Sequence, residues 1–273
     1  MINEINFIIV IFLILYFFYL KPKDLYKFIS QRKQKAKMID LNYIHNLKKV
    51  VYTINLGNYD EIRGINKQSG YDYFLFVDKF DEIYNGSNWT IILLPESIKN
   101  LNISLIKKQR FIKTHPHLFF PNHDLSIYMD ATYEINGNLD EFLLRFLTSK
   151  YSMYMLEHPE RNKIKEEFNL VGILKKDNKS NIMKVKDRYN RTNFTDNCGL
   201  IESCLMIRKH NDKICIDTME EWFNEIKNYS HRDQLSFNYV LWKTGRSIKY
   251  LSKNFCFQYL FGEYFHKKNV TFE

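Results

Sequence analysis

The amino-acid sequence predicts an α/β fold with a mainly parallel central sheet, and three observations lead to this prediction. The chain has 273 residues, of which 45% are hydrophobic and 16% aromatic, enough for one sizeable core. Short β-rich runs alternate with segments of helical periodicity, a pattern typical of a parallel sheet covered by helices. Glycine and proline number only 9 and 5, which excludes collagen-like and linker-rich chains.

Four segments have the composition of strands. Each is a short run rich in apolar, β-branched or aromatic residues, and each is followed by Gly, Asp or Pro, which favour turns. The predicted strands cover residues 50–56, 71–77, 89–94 and 125–129.

Helices are predicted between and after these strands. Residues 103–112 place Ile103, Ile106 and Phe111 on one side of a helix, and similar spacing predicts helices over 139–147, 160–170, 219–227 and 234–242. The sequence contains no glycine-rich loop of the dinucleotide-binding or P-loop type. It therefore disfavours a dinucleotide dehydrogenase and a P-loop nucleotidase.

The N-terminal region predicts a transmembrane helix that anchors the chain. Residues 5–20 are apolar except for Asn6, and no small-residue cleavage site follows Leu20, so an uncleaved anchor is favoured over a signal peptide. The predicted organisation is a transmembrane anchor over residues 1–20, a basic stem over 21–47 and a folded domain over 48–273.

The net charge of +9 is concentrated behind the predicted anchor. Residues 1–38 contain seven lysine or arginine residues and two acidic residues, and the rest of the charge is scattered. No recognition-helix or RNA-binding signature accompanies it, so nucleic acid is not an expected partner. The basic flank favours a cytoplasmic-facing domain in a single-pass membrane protein and suits contact with anionic lipid headgroups.

Residues 126–132 are the most informative segment for chemistry. A predicted apolar strand ends at Asp130, and ligands bind at the carboxyl ends of strands in open α/β sheets. In an extended chain Asp130, Thr132 and Glu134 project from one face, where their oxygens suit Mg²⁺ or Mn²⁺. The alternative is that Asp130 caps a turn.

Two other predicted strands end in polar residues. Asp78 follows the strand over 71–77, and a Gly-Asn turn follows the strand over 50–56. A nucleotide could stack its base on Tyr52 or Tyr59 and bind Asp78 through a ribose hydroxyl. The alternative is that these tyrosines pack within the sheet.

Several short motifs occur in the same order as in one known protein family. By them the chain resembles, over about residues 48–245, the plant mucilage-related hexosyltransferase family, once linked to an alkaline ceramidase activity. The run Arg232-Asp233-Gln234-Leu235-Ser236-Phe237 is the most specific motif. The others are Tyr52-Thr53, Gly57-x-Tyr59-Asp60, Tyr71-Asp72-Tyr73, Phe76-x-Asp78, Arg110-x-x-Lys113, Pro116-His117, Ser126-Ile127-x-x-Asp130 and His158-Pro159-Glu160-Arg161.

This resemblance implies a GT-A-like glycosyltransferase fold and a membrane anchor, as in type II proteins of the Golgi and secretory pathway. It also implies a nucleotide-sugar donor, a hexose transferred to a glycan, protein or lipid acceptor, and Mn²⁺ or Mg²⁺ bound by a D-x-D-like motif. Thr132 departs from that motif, which usually has a second Asp there.

The resemblance also suggests roles for individual residues. Asp233 and Asp130 are the predicted catalytic residues, and His158 and Arg161 are placed on the acceptor side. Metal binding is expected at Asp130, Thr132 and His266. The predicted nucleotide-sugar ligands are Tyr52, Thr53, Tyr59, Asp78, Arg110, Lys113, His117, Arg232 and Gln234.

Other interpretations remain open at this point. Asp233 could orient donor hydroxyls, take a proton from the acceptor, or simply cap a helix. The cluster of His115, His117, His123 and Asp124 could bind zinc, which would indicate a metal-dependent hydrolase or amidase similar to a ceramidase. Because Thr132 replaces an acid, a third alternative is a non-catalytic nucleotide-sugar-binding protein.

Overall fold

A seven-stranded mixed sheet forms the centre of the computed structural model, which describes residues 39–262. The predicted anchor over 1–20, most of the predicted stem and His266 lie outside the described residues. Between residues 39 and 262, no helix is long and apolar enough to span a membrane.

The large sheet has the strand order β3-β2-β1-β4-β7-β6-β8. Only β7 runs antiparallel to its neighbours, β4 and β6; all other pairs are parallel. Strands β5 and β9 form a separate antiparallel pair. The predicted α/β fold with a mainly parallel sheet is confirmed. The strands are β1 (Lys49–Asn55), β2 (Tyr71–Val77), β3 (Thr90–Leu93), β4 (Leu125–Met129), β5 (Tyr133–Ile135), β6 (Met153–Glu157), β7 (Ile201–Arg208), β8 (Lys249–Leu251) and β9 (Leu260–Gly262).

Helices cover both faces of the sheet, and polar side chains cap several of them. Asn138, Asn178 and Asp212 each accept a hydrogen bond from a first-turn backbone amide, which stabilises a helix start. The helices are α1 (Leu41–Asn46), α2 (Glu96–Lys99), α3 (Leu105–Thr114), α4 (Pro116–Phe119), α5 (Leu139–Phe146), α6 (Ile164–Ile173), α7 (Lys179–Arg191), α8 (Lys213–Asn228), α9 (Phe237–Thr244) and α10 (Lys253–Cys256).

Strand β1 is buried on both faces. Val50, Tyr52 and Ile54 pack into one apolar cluster, and Val51 packs into the cluster on the other face. All seven residues of β1 are buried, as expected for a central parallel strand covered by helices on both sides.

The folded part begins before residue 48. Helix α1 is capped by Asp40, whose side chain accepts a hydrogen bond from the Tyr43 amide, and Ile44 is fully buried in the core. Residues 39–47 therefore belong to the domain and not to the predicted stem. Residues 39–147 and 151–262 pack as one compact unit.

The strand order reverses direction between β1 and β4. The chain proceeds from β1 to β2 and β3 on one side, then crosses back to place β4 on the other side of β1. A crevice opens at such a point because the two connections leave the sheet in opposite directions. Asn55 and Met129 end the two strands there, so the segments that follow them face this crevice.

Two glycines provide a matched test of the packing. A Cβ at Gly137 would lie 2.8 Å from Tyr259 Cδ1 and 2.9 Å from Tyr259 Cα, whereas a Cβ at Gly172 in α6 would meet nothing within 4 Å. We expect Gly137→Ala to lower the free energy of unfolding by about 1–3 kcal/mol through overpacking. Gly172→Ala should raise it by about 0.5–1 kcal/mol. Equal effects in urea unfolding would contradict this packing.

Candidate functional site

A cavity of about 270 Å³ lies at the carboxyl ends of β1 and β4. Its walls come from the end of β1 and the loop after it, from α3, from residues 130–132, from the beginning of β7 and from residues 232–234. Because β7 is antiparallel to β4, its first residues lie at the same edge of the sheet. The cavity therefore occupies the crevice that the strand order creates.

The Asp233 carboxylate lies at the centre of a buried ion cluster. Lys113 Nζ donates a hydrogen bond to Asp233 Oδ2 at 2.9 Å, and Ser203 Oγ donates to the same oxygen at 2.8 Å. Arg110 Nε is 3.4 Å from it. The cluster thus connects α3, β7 and the segment that precedes α9.

The backbone around Asp233 is held by two further hydrogen bonds. Trp222 Nε1, in α8, donates to the Asp233 carbonyl at 3.1 Å, and the Gln234 amide donates to Oδ1 at 3.0 Å. Residues Asp233–Leu235 form a short 3₁₀ turn, and α9 begins only at Phe237. Asp233 is therefore not the cap of α9, which removes the helix-capping alternative.

The electrostatics of the cluster keep Asp233 ionised. Burial alone would raise the pKa of the Asp233 carboxyl, but the charges of Arg110, Lys113 and Arg232 outweigh burial and hold the pKa well below its usual range. A carboxylate with so low a pKa is a weak base. The arrangement therefore favours orientation of the neighbouring basic groups over proton abstraction.

Lys113 connects this cluster to the sheet. Its side chain is 2% exposed, and Nζ also lies 3.0 Å from Ser203 Oγ and 3.9 Å from Asp130 Oδ1. The Lys113 carbonyl accepts hydrogen bonds from Tyr52 Oη at 2.9 Å and from Arg208 at 2.8 Å. Both ends of the residue are thus fixed by contacts with the sheet.

Asp130 presents a partly exposed carboxylate to the cavity. The side chain is 38% exposed, and Tyr128 Oη donates to Oδ1 at 2.6 Å. Thr132 is buried and lines the same wall, but Glu134 does not line the cavity and pairs with Arg63 at 3.7 Å. Within residues 39–262, no group of three His, Cys, Asp or Glu side chains is placed to hold a metal ion.

Ten of the residues predicted for the site line this one cavity. The sequence motifs that contain these residues therefore meet at one place in the fold. The chemical roles of the residues stay predictions. These residues are Tyr59, Arg110, Lys113, Asp130, Thr132, His158, Arg161, Arg232, Asp233 and Gln234.

Two predicted nucleotide-sugar ligands in β1 are buried in the core instead. Tyr52 is fully buried and packs against Phe76, Phe120 and Tyr128. Thr53 is also buried and does not line the cavity. The prediction for both residues is wrong because helices cover β1 on both faces, which leaves no side of the strand open to a ligand.

Two other predicted ligands do not line the cavity and have partners elsewhere. Asp78 Oδ1 accepts a hydrogen bond from the Gly57 amide at 2.8 Å, and Gly57 has a left-handed φ of 74°. Asp78 therefore stabilises the turn after β1. His117 Nε2 lies 3.4 Å from Glu220 of α8, so it pairs with that helix, and neither residue lines the cavity.

The zinc site proposed as an alternative is not assembled from the predicted four residues. His115 and His117 face Glu220, while His123 pairs with Asp72 at 2.9 Å. Asp124 Oδ2 accepts a hydrogen bond from the Lys48 amide. Because the four groups are turned toward three different partners, the structure contradicts a zinc centre shared by all four.

The acceptor-side pair forms a small network of its own. Arg161 lies 2.7 Å from His158 Nε2 and donates to Glu167 Oε2 at 2.8 Å. Burial, and then the charge of Arg161, lower the pKa of the His158 imidazole. His158 is therefore neutral near pH 7, next to an arginine whose charge is balanced by Glu167.

The cavity-lining residues that the sequence prediction missed include Glu167, Lys176, Glu202 and Ser203. Glu202 and Ser203 are adjacent polar residues near the start of an otherwise apolar run. This interruption of the apolar pattern is the sequence feature that could have identified them. Glu167 and Lys176 lie in a helical region of mixed charge, where nothing local distinguishes them from surface residues.

The ion cluster predicts a pH-dependent contribution of Asp233 to stability. Asp233→Asn should lower the free energy of unfolding at pH 7 by about 3–5 kcal/mol, because two largely buried cations lose their partner. The folded-state pKa lies below the unfolded value of about 3.9, so the stabilisation is complete above that pH and is lost on acidification.

Asp72→Asn is the matched control, because Asp72 is 67% exposed and pairs with His123 at the surface. Urea unfolding between pH 3 and pH 7 should show a large, pH-dependent difference between wild type and Asp233→Asn and a small one for the control. A pH-independent deficit in Asp233→Asn would contradict the ion-pair explanation.

Comparison with known proteins identifies the family. The family model described as TOD1/MUCI70, glycosyltransferase-like domain, matches residues 30–266, which confirms the resemblance predicted from the motifs. No curated protein matches the sequence.

Three solved structures are similar to the chain. Apo WbbM, a bifunctional glycosyltransferase, is 14% identical with a TM-score of 0.45, and the match covers 76% of this chain but only 39% of WbbM. Mouse xyloside xylosyltransferase 1 is 10% identical with a TM-score of 0.41, and the match covers 72% of this chain and 81% of that one. The mannosyltransferase Ktr4p from S. cerevisiae is 8% identical with a TM-score of 0.39, covering 72% of this chain and 66% of Ktr4p. By the family match, the chain belongs to the TOD1/MUCI70 glycosyltransferase-like domain family.

Proposed function

We propose that this chain is a GT-A-like glycosyltransferase that moves a hexose from a nucleotide sugar to a glycan, protein or lipid acceptor. The observation that supports the proposal most is the cavity in the crevice between β1 and β4. There the partly exposed Asp130 carboxylate lies near the buried ion cluster. Ligands of open α/β sheets bind at this position, and family membership indicates glycosyl transfer.

Glycosyl transfer from such a donor produces a nucleoside diphosphate, whose developing negative charge must be stabilised. The cavity is lined by five basic and five acidic side chains, so its own charges nearly cancel. A divalent cation next to the diphosphate would add positive charge where the leaving group needs it.

The described residues fit such a cation only together with the diphosphate. Asp130 would supply one carboxylate and Thr132 one neutral oxygen, and Mg²⁺ commonly completes such a shell with phosphate oxygens and water. His266 is a proposed further ligand. Strand β9 ends at Gly262, which pairs with Tyr133 of β5. Tyr133 lies three positions after Asp130 and His266 four positions after Gly262 in the sequence. These short separations support the proposal.

The remaining lining residues suit binding and orientation. Tyr59 lines the cavity together with Arg110 and Arg232, and an aromatic ring at this place suits contact with a nucleobase. Asp233 would hold Lys113 and Ser203 in fixed positions toward the donor. His158 and Arg161, on the other part of the wall, would contact the acceptor.

A donor screen tests the proposed function. Full-length protein with Mn²⁺ should release nucleoside diphosphate slowly from one nucleotide sugar among a panel, and Asp130→Asn should lower the rate by about 10²-fold or more. Asp124→Asn, an acidic residue outside the cavity, is the control and should retain the rate. Tight donor binding without release would instead indicate a nucleotide-sugar-binding protein, and no binding of any donor would contradict the proposal.

We also propose that residues 1–20 anchor the protein as a single-pass membrane protein. Family resemblance implies a lumenal domain of the Golgi or secretory pathway, whereas the basic flank favours a cytoplasmic domain. Carbonate extraction should leave the full-length protein in the membrane pellet. Complete release into the supernatant would contradict the anchor.

A further inference from the structure

Two basic side chains on the cavity wall lack an acidic partner. Among the five basic residues there, Arg110 and Lys113 contact Asp233, and Arg161 contacts Glu160 and Glu167. In the part of the chain that the structure describes, Lys176 and Arg232 have no ion-pair partner. They are therefore the basic groups of the cavity that no carboxylate holds in a close ion pair, although Arg232 also contributes to lowering the pKa of Asp233.

Arg232 has a buried donor without an acceptor. Its Nε is buried and makes no hydrogen bond, and within residues 39–262 its guanidinium makes one hydrogen bond, to Gln234 Oε1 at 3.4 Å. Arg110 Nε also lacks a hydrogen bond, but it lies 3.4 Å from the Asp233 carboxylate. A buried donor left unpaired is costly, and such a group often marks a place where a ligand completes the hydrogen bonding. The planar guanidinium suits an anion with two or more oxygens.

Lys176 adds a second charge on the same wall. It lies in the loop between α6 and α7 and lines the cavity. Burial, and then the charge of Arg232, lower the pKa of the Lys176 ammonium; the charge of Glu167 opposes this shift, and Arg161 adds a smaller lowering contribution. The like charges repel one another, and an anion between them would relieve this repulsion.

One buried side chain joins the backbone segments that carry the two residues. Asp177, 2% exposed, accepts hydrogen bonds from Ser230 Oγ and from Asn181 Nδ2. Ser230 Oγ in turn accepts from the Arg232 amide at 3.1 Å. This contact joins the loop of Lys176 to the segment of Arg232.

His231 makes a second connection between the same segments. The Lys176 carbonyl can only accept a hydrogen bond, so His231 Nε2, 3.1 Å away, is the donor. The backbone positions of Lys176 and Arg232 are therefore set by the fold, and binding would require little reorganisation of the backbone.

We propose that Lys176 and Arg232 form the subsite that binds the diphosphate of the donor, in place of Arg110 and Lys113. The identity of the anion rests on the proposed function, whereas the subsite itself rests on two unpaired cations in one cavity. Asp233 holds Arg110 and Lys113 in the buried cluster, so their charge is already neutralised in part. A diphosphate offers enough anionic oxygens for both free groups.

Calorimetry with inorganic pyrophosphate tests the subsite directly. Full-length protein in EDTA and low salt should bind pyrophosphate, and Lys176→Gln should weaken binding by about 10- to 100-fold, the loss of one charge-assisted hydrogen bond. Arg232→Gln should weaken it similarly, and Arg232→Lys should restore part of the affinity. Lys175→Gln is the matched control, since the neighbouring Lys175 is exposed like Lys176 but does not line the cavity.

Thermal unfolding of each variant separates binding from folding, because Lys176 is an exposed side chain and its replacement should leave the melting temperature unchanged. Wild-type affinity in Lys176→Gln would overturn the subsite, as would equal weakening in Lys175→Gln or no binding by the wild type. If a donor is turned over at the same rate and KM by Lys176→Gln, the subsite is wrong while the transferase function stands. If Lys176→Gln loses pyrophosphate but no nucleotide sugar is bound by the wild type, the subsite stands while the proposed donor is wrong.

Discussion

The contact between the Asp233 carboxylate and its two basic neighbours constrains the whole site. Charges that are removed from water are tolerated only when they are paired and hydrogen-bonded, so Asp233, Lys113 and Arg110 must meet at fixed distances. Arg110 and Lys113 come from α3 and Asp233 from the segment before α9, and Ser203 adds β7 to the same point. The relative positions of α3, β7 and the segment before α9 thus follow from one buried cluster, and these elements form much of the cavity wall.

The sheet supplies the second half of this arrangement. Strand β1 is sealed on both faces, so Tyr52 contributes by holding the Lys113 carbonyl from within the core. Ligands can therefore reach β1 only at its two ends, and its carboxyl end lies next to β4 and Asp130. The unpaired charges of Lys176 and Arg232 lie on the wall that the connection between α6 and α7 helps to form. Packing fixes Arg110 and Lys113 in the buried cluster. In the proposed subsite, Lys176 and Arg232 are the basic groups left for binding.

Local patterns predicted much of the fold but only part of the site. Strands β2 and β4 agree with the prediction at both ends, because clear turn residues bound their apolar runs. Strand β7 was missed because Glu202 and Ser203 interrupt its apolar pattern. The pairing of Lys113 with Asp233 joins residues 120 positions apart, and His117 contacts Glu220 of a distant helix. Such partners are set by tertiary packing, so a motif places a residue in the chain without showing which way it faces.

Hydrogen–deuterium exchange of the full-length protein, measured with and without nucleotide sugars, can locate the bound donor. A second open cavity, lined by residues that include Lys48, Gly70 and His123, lies at the amino ends of the strands, so the two edges of the sheet can be compared in one experiment. If the donor binds at the carboxyl edge, peptides that cover residues 105–114, 130–132, 174–178 and 230–235 should exchange more slowly. Protection confined to peptides around Lys48, Gly70 and His123 would contradict a donor site at the carboxyl edge.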